Sequence, residues 1–389
     1  FTRKVPLVDS LAASSGEGRG EEVQQEILEL ICTHTQTDFK NYKQATINRR
    51  IRKRMDHLKL KTMKVYLEHL RENPAEVKQL CQEFFINVTR FFRDKEAFDM
   101  LEEEVIPKIL AEKEAGEPVK VWVVACSTGE EAYSLAIQFR EAYARAGQEP
   151  QVKIFATDID QRAITQASKG SYPASIAKDV SEERLTRFFH RKGSRYIVNE
   201  EVRKLVVFAQ HDVQKDPPFS KIDLITCRNM LIYLNPYLQK KVLAIFPYAL
   251  NLRGYLLLGP SEHIGEMKTF FSEENRKWKL FQKVKDSRGM QSTYGVSDYT
   301  PLLSSKSQAT SYQMNQMARY NDSFMDAVSE DFKVTGLYVD ENYQLLHGIG
   351  DINRFLKFPD RRLHFNLIKM VPEELAVTLS VGIRKALKN

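Results

Sequence analysis

Asp158 and Asp160 close an apolar run at residues 152–157. A second apolar run, 119–125, passes into Cys126-Ser127-Thr128-Gly129 and then the paired acids Glu130 and Glu131. A carboxylate at the end of a strand accepts hydrogen bonds from the two vicinal hydroxyls of a ribose. A turn of small residues lets a nucleoside approach the backbone closely, and open α/β sheets hold such cofactors at the carboxyl ends of their strands. Simpler readings stand beside this one. Asp160 has the better claim to cap the following helix, and Glu131 suits the positive amino end of the next one. The eight histidines have no metal-ligand spacing, and no His/Asp or Ser/His arrangement is visible.

These residues need strands beneath them. Apolar, β-branched stretches predict strands at 119–125, 152–157, 205–210, 222–227 and 255–259, with another near 278–283. Helical patterns alternate with them from Phe98 to about Lys283, which predicts an α/β, mostly parallel, doubly wound sheet. The rhythm breaks between Gly170 and Val202, where one short helix (181–189) and a hairpin around Gly193 predict an inserted subdomain at about 170–203. Upstream, Ile27, Leu28 and Ile31, then Ile47, Ile51, Met55 and Leu58, then Tyr66, Leu67 and Leu70, then Val77, Leu80, Cys81 and Phe84 recur at helical spacing. They predict a helical bundle over residues 21–95 and an α/β domain over 96–284. Residues 1–20 read as a flexible tail and 285–318 as a linker rich in Ser, Thr, Gln and Gly. Residues 319–389 begin with a helix and continue to a hairpin around Asp340-Glu341-Asn342.

The chain has 389 residues, room for two or three domains of roughly 150 residues. It begins at Phe1 rather than Met, as a piece of a longer protein would. No stretch approaches the roughly 20 apolar residues of a membrane helix. Cys32, Cys81, Cys126 and Cys227 lie far apart, which argues for a reducing, cytoplasmic compartment and against zinc. Nine Lys or Arg between Lys43 and Lys64 face one acid, Asp56, and this stretch accounts for the whole net charge of +7. A local basic patch of that kind suits a specific acidic partner.

Four blocks carry a resemblance: FFINVTRFFRD (84–94), ACSTGEEAYSLA (125–136), FATDID (155–160) and DLITCRNMLIYL (223–234). Residues 21–283 resemble the chemotaxis receptor methyltransferases, the CheR family. The resemblance implies a class I methyltransferase (Rossmann-like) sheet behind the helical domain, and methyl transfer from S-adenosylmethionine to receptor glutamates. It implies cofactor contacts by Asn87, Thr89, Arg93, Ala125, Gly129, Glu130, Asp158, Asp212, Val213, Arg228 and Asn229. Arg93, Arg228 and Asn229 would also face the reacting carboxylate. A cofactor without a pyrophosphate needs one glycine, Gly129, rather than three. Residues 319–389 resemble a PAS-like α+β segment, as in fusions of methylesterase, methyltransferase and PAS-like parts.

A glutamate has a reference pKa of about 4.3 and is already an anion at neutral pH, so its methylation requires no general base. The donor residues Arg228-Asn229 after the fourth strand suit an acceptor substrate. DPPF (216–219), which looks like the motif of amine-modifying methyltransferases, precedes that strand and reads as a turn. The resemblance makes Arg49, Arg50, Arg52, Lys53 and Arg54 a docking surface for the helical cytoplasmic domain of receptors; nucleic acid binding and mere solvation are the other readings of that run. Family members that dock on a receptor's tail pentapeptide carry a longer glycine-bearing loop than KGSR (192–195), which implies independence from that tether. A non-catalytic cofactor-sensing module and a nucleic-acid methyltransferase remain as alternative functions.

Overall fold

The computed structural model describes residues 10–114, 116–286, 336–339, 343, 345–349 and 366–386. Four helices come first: α1 (Ser10–Thr35), α2 (Gln44–His57), α3 (Met63–Glu72) and α4 (Pro74–Phe84). Their apolar stripes close on one another, burying Ile27, Ile31, Ile47, Ile51, Tyr66, Leu70, Val77, Leu80 and Phe84 in one cluster. The Thr62 side chain caps α3 by accepting from the Val65 N–H, and Pro74 sits at the start of α4 where its missing N–H costs nothing. Helix α1 corrects one expectation. It begins at Ser10, inside the stretch read as a flexible tail, because a helix anchored by the buried face at Ile27 and Ile31 propagates backwards at little cost per residue.

The chain continues through α5 (Lys95–Met100), one π-helical turn (Leu101–Val105) and α6 (Ile106–Glu112). The alternating part is β1 (Val119–Val124), α7 (Glu130–Arg145), β2 (Val152–Asp158) and α8 (Gln161–Lys169). The inserted subdomain follows as β3 (Ser171–Pro173), α9 (Glu182–Phe188), β4 (Phe189–Lys192), β5 (Arg195–Val198) and α10 (Glu200–Arg203). The remainder is β6 (Val206–Gln210), β7 (Ile222–Cys227), α11 (Pro236–Ala249), β8 (Leu250–Leu258), β9 (Phe271–Asn275) and β10 (Leu280–Lys283).

The seven-stranded sheet has the order β6-β2-β1-β7-β8-β10-β9. The first five strands are parallel; β10 pairs antiparallel with both β8 and β9. The chain lays strands to one side of β1, then returns to its other side with β7. The order reverses between β1 and β7, where ligands of such sheets bind. β1 and β7 are buried almost throughout, as strands covered on both faces must be. Periodicity missed β9 and β3; β3 joins the predicted hairpin as a third strand, in the order β3-β5-β4. Each is short and polar, so its partners rather than its composition make it a strand.

Near the carboxyl terminus, β11 (Gly336–Val339) and β12 (Leu345–Ile349) form the predicted antiparallel hairpin. They are followed by α12 (Leu367–Met370) and α13 (Glu373–Ala386). The linker at 287–318 and the helix expected to begin at Tyr320 lie outside the described residues. Among the described residues, no helix is long and apolar enough to cross a membrane.

Candidate functional site

The turn after β1 is held by the strand beside it. The Cys126 N–H donates to Thr157 O at 2.8 Å, and the Ser127 N–H donates to Asp158 Oδ2 at 2.8 Å. Ala125, Ser127 and Gly129 all have positive φ, at 55°, 51° and 91°. This tight path aims successive N–H groups inward. Packing gives Gly129 a reason beyond the cofactor approach expected from sequence. A Cβ there would stand 2.8 Å from Ala167 Cβ and 3.0 Å from the Phe208 ring. Tyr172, from the inserted subdomain, donates to Thr128 O at 2.7 Å and braces the turn from outside.

Asp158 is buried at the end of β2. It accepts from Ser127 N and, at 2.9 Å, from Asp160 N. Burial pushes its pKa up to about 6, against the pull of these N–H donors. Asp160 caps α8 through the Arg162 N–H and accepts from Asn87 Nδ2 at 2.7 Å. Asn87 also accepts from Ser127 Oγ at 3.3 Å. It therefore ties the segment after α4 to the turn, and its amide is engaged by protein.

A crevice, partly open to solvent, lies at the carboxyl ends of β1, β2, β6 and β7. Its walls include Ala125, Asp158, Asp212 and Val213, four of the expected cofactor contacts. Burial raises the Asp212 carboxyl above its ordinary range. Asp212 Oδ1 accepts from the Gln214 N–H at 2.9 Å, and its own N–H donates to Asp216 at 2.7 Å. DPPF therefore belongs to a closed turn, with Phe219 stacked on Phe155 at 4.8 Å. Tyr42 and His211, which sequence reasoning missed, also line the crevice.

The remaining expected residues stand around this crevice rather than on its wall. Glu130 begins α7; it accepts from Thr128 Oγ1 at 2.7 Å, and burial raises its pKa. Phe91 and Phe92 are buried, and the Phe92 N–H donates to Ser134 Oγ on α7. That anchor presents Thr89 and Arg93 half-exposed. Arg93 donates to Val88 O at 3.0 Å; among the described residues no carboxylate pairs with it, because Asp94 is taken by Arg228 and Glu96 by Lys277.

Arg228 is a correction. Read as a donor to the substrate, it is instead 6% exposed, with both terminal nitrogens engaged from within and only Nε left without a partner among the described residues. It pairs with Asp94 at 2.7 Å and Glu131 at 3.1 Å, and donates to Arg93 O at 3.0 Å. Its work is to tie the end of β7 to the Arg93 loop. Asn229 follows in a left-handed conformation, φ 60°, and its side-chain amide makes no hydrogen bond among the described residues. Glu262 holds that loop in place and was not singled out by sequence. Buried, it accepts from Gly259 N at 2.6 Å, Leu231 N at 2.7 Å and Asn229 N at 3.1 Å. A lone Glu in PSEH (260–263) has no spacing signal that could have revealed this.

The basic stretch on α2 also divides. Arg49 and Arg52 are exposed and without ion-pair partners among the described residues. Lys53 and Arg50 lean on Glu83, at 2.8 and 3.9 Å. Arg54 faces inward, contrary to its expected docking role: it grips buried Glu76 with two hydrogen bonds, alongside the Tyr66 hydroxyl. Among the described residues no cluster of His, Cys, Asp and Glu is arranged to hold a metal ion.

Residues 24–85 match the all-alpha domain of CheR methyltransferases, and residues 87–280 match their SAM-binding domain. A chemotaxis protein methyltransferase of Listeria innocua is 32% identical over 227 residues, covering 58% of this chain and 84% of that protein. One from Vibrio anguillarum is 37% identical over 182 residues, 46% of this chain and 65% of that protein. A 104.1 kDa protein of Rhodobacter capsulatus is 32% identical over 368 residues, 92% of this chain; the chain spans only 38% of its length. The boundary between the two matched domains falls where the helical bundle ends and Asn87 reaches across to Asp160, and on these grounds the chain belongs to the CheR family of S-adenosylmethionine-dependent methyltransferases.

Proposed function

We propose that this chain forms methyl esters on glutamate side chains of the helical cytoplasmic domain of chemotaxis receptors. One observation carries the reading. Arg93 and Asn229 sit on two segments that Arg228 ties together at the carboxyl end of the sheet, and their side chains are not neutralised by protein carboxylates. Arg93 spends one donor on Val88 O and keeps the rest without a carboxylate partner among the described residues; such donors suit an incoming carboxylate, and Arg has the planar fork that matches one. S-adenosylmethionine supplies an electrophilic methyl group on a sulfonium and leaves as the thioether S-adenosylhomocysteine. Asp158 fits its ribose hydroxyls, with Ala125, Asp212 and Val213 around the adenosine. Thr89, Asn87 and Glu130 support the segments at the other end. No residue need remove a proton. The protein's work is to align an anion and shed its water.

The exposed Arg49 and Arg52 on α2 make the helical domain the docking face for an acidic receptor bundle, without a tail-peptide tether. The hairpin and helices within 319–389 suit a PAS-like sensory segment, and the whole reading belongs to the cytoplasmic side. The test is incubation with methyl-labelled cofactor and receptor, followed by alkaline release of methanol. Volatile label from receptors lacking any tail peptide is expected. Strict dependence on that peptide would refute tether independence. Cofactor binding without transfer would favour a sensing module, and label in RNA instead of protein a nucleic-acid methyltransferase.

A further inference from the structure

We propose that Tyr42, a residue of the helical domain, completes the cofactor pocket by donating its hydroxyl hydrogen to the adenosine moiety. The proposal rests on the reading of the crevice as the S-adenosylmethionine site. Tyr42 lines that crevice together with Asp158 and Asp212. Its backbone is fastened to the α/β domain by an antiparallel bridge to Leu234. Two hydrogen bonds make that bridge: Lys43 N–H donates to Tyr233 O at 2.8 Å, and Asn235 N–H donates to Asn41 O at 2.9 Å. The ring meets Phe39 edge-on at 5.0 Å, and Phe39 is itself wedged edge-on against Phe84 at 4.9 Å. The ring therefore has little freedom to swing away.

The hydroxyl makes no hydrogen bond among the described residues. Burial and the charges of Asp212 and Asp158 hold it protonated far beyond its ordinary range, so it stands as a donor. That matters because Asp158 and Asp212, when ionised, only accept. They satisfy the ribose hydroxyls and the exocyclic amine of adenosine, and leave the acceptor atoms of its ring without a partner. An aromatic hydroxyl lining the same crevice supplies one. The nucleoside pocket is then shared between the two domains, and the α/β domain alone lacks one wall.

The test is calorimetric titration of the full chain with S-adenosylhomocysteine and with 5′-methylthioadenosine, which lacks the amino-acid end. Tyr42→Phe is expected to weaken both by a similar factor, about 3- to 10-fold, with the melting temperature of the unliganded protein unchanged. Tyr237→Phe, at a ring 58% exposed on α11, should alter neither. Unchanged affinity in Tyr42→Phe would overturn the proposal, as would a loss confined to S-adenosylhomocysteine. A loss that merely follows a lowered melting temperature would overturn it too. Failure of the wild-type chain to bind either ligand would bring down the cofactor reading, and the proposal with it.

Discussion

At the scale of single residues, the site is governed by carboxylates with different burdens. Asp158 has a native pKa of about 6, raised by burial, against an unfolded value of about 3.9. The native state therefore holds an extra proton between those values. Stability from this group declines as pH rises through that window, and the cost is fully present above about pH 6. In the proposed site cofactor binding runs the other way, since the ionised form would accept from both ribose hydroxyls. Affinity for S-adenosylhomocysteine is expected to rise as pH climbs from 5 through 6 and to level off above 7, measured by calorimetry. Asp158→Asn should flatten that profile and weaken binding by about 10- to 100-fold. Glu262 has a structural burden instead, gathering backbone N–H groups from the loops after β7 and β8. Glutamine turns an NH2 toward donors that need acceptors. Glu262→Gln is expected to destabilise the protein by about 2 kcal/mol in urea denaturation, and to lower turnover more than cofactor affinity, because Asn229 loses its support.

At the scale of elements, α2 shows how one charged helix divides its labour. Its buried stripe of Ile47, Ile51 and Met55 fixes its rotation, and that rotation sends Arg54 inward to Glu76 while Arg49 and Arg52 remain outside. Replacing both Arg49 and Arg52 by Glu should leave stability within about 0.5 kcal/mol. The same change should raise KM for receptor by about tenfold at low salt, with the difference shrinking as salt is added. Arg54→Ala should behave in the opposite way, costing about 3 kcal/mol of stability because Glu76 is left buried and unpaired. Urea denaturation and receptor methylation kinetics, run side by side, separate the two roles. The helix was legible from its periodicity; which cations face solvent was not, because Glu76 lies 22 residues further on and only packing brings it beneath Arg54.

At the scale of the molecule, the helical domain and the seven-stranded sheet have core clusters that contain no residue beyond Phe281, and Leu367, Met370 and Val371 form a separate cluster. A chain ending at residue 286 is therefore expected to fold and to bind S-adenosylhomocysteine within about twofold of the full chain; a larger loss on calorimetric titration would show that the remainder supports the site. The amino-acid sequence by itself determined a helical domain followed by a parallel sheet, and the turn beside Asp158, because these follow from local periodicity and from small or acidic residues at strand ends. It also placed the apolar stripes of the bundle almost residue by residue. Only the tertiary structure decided that Arg228 is paired with Asp94 and Glu131, that Gly129 packs against Ala167 and Phe208, and that Glu262 carries the Asn229 loop. The reason is common to all three. Each is a contact between segments distant along the chain, and a side chain's chemistry states what it can bind without stating which neighbour reaches it first.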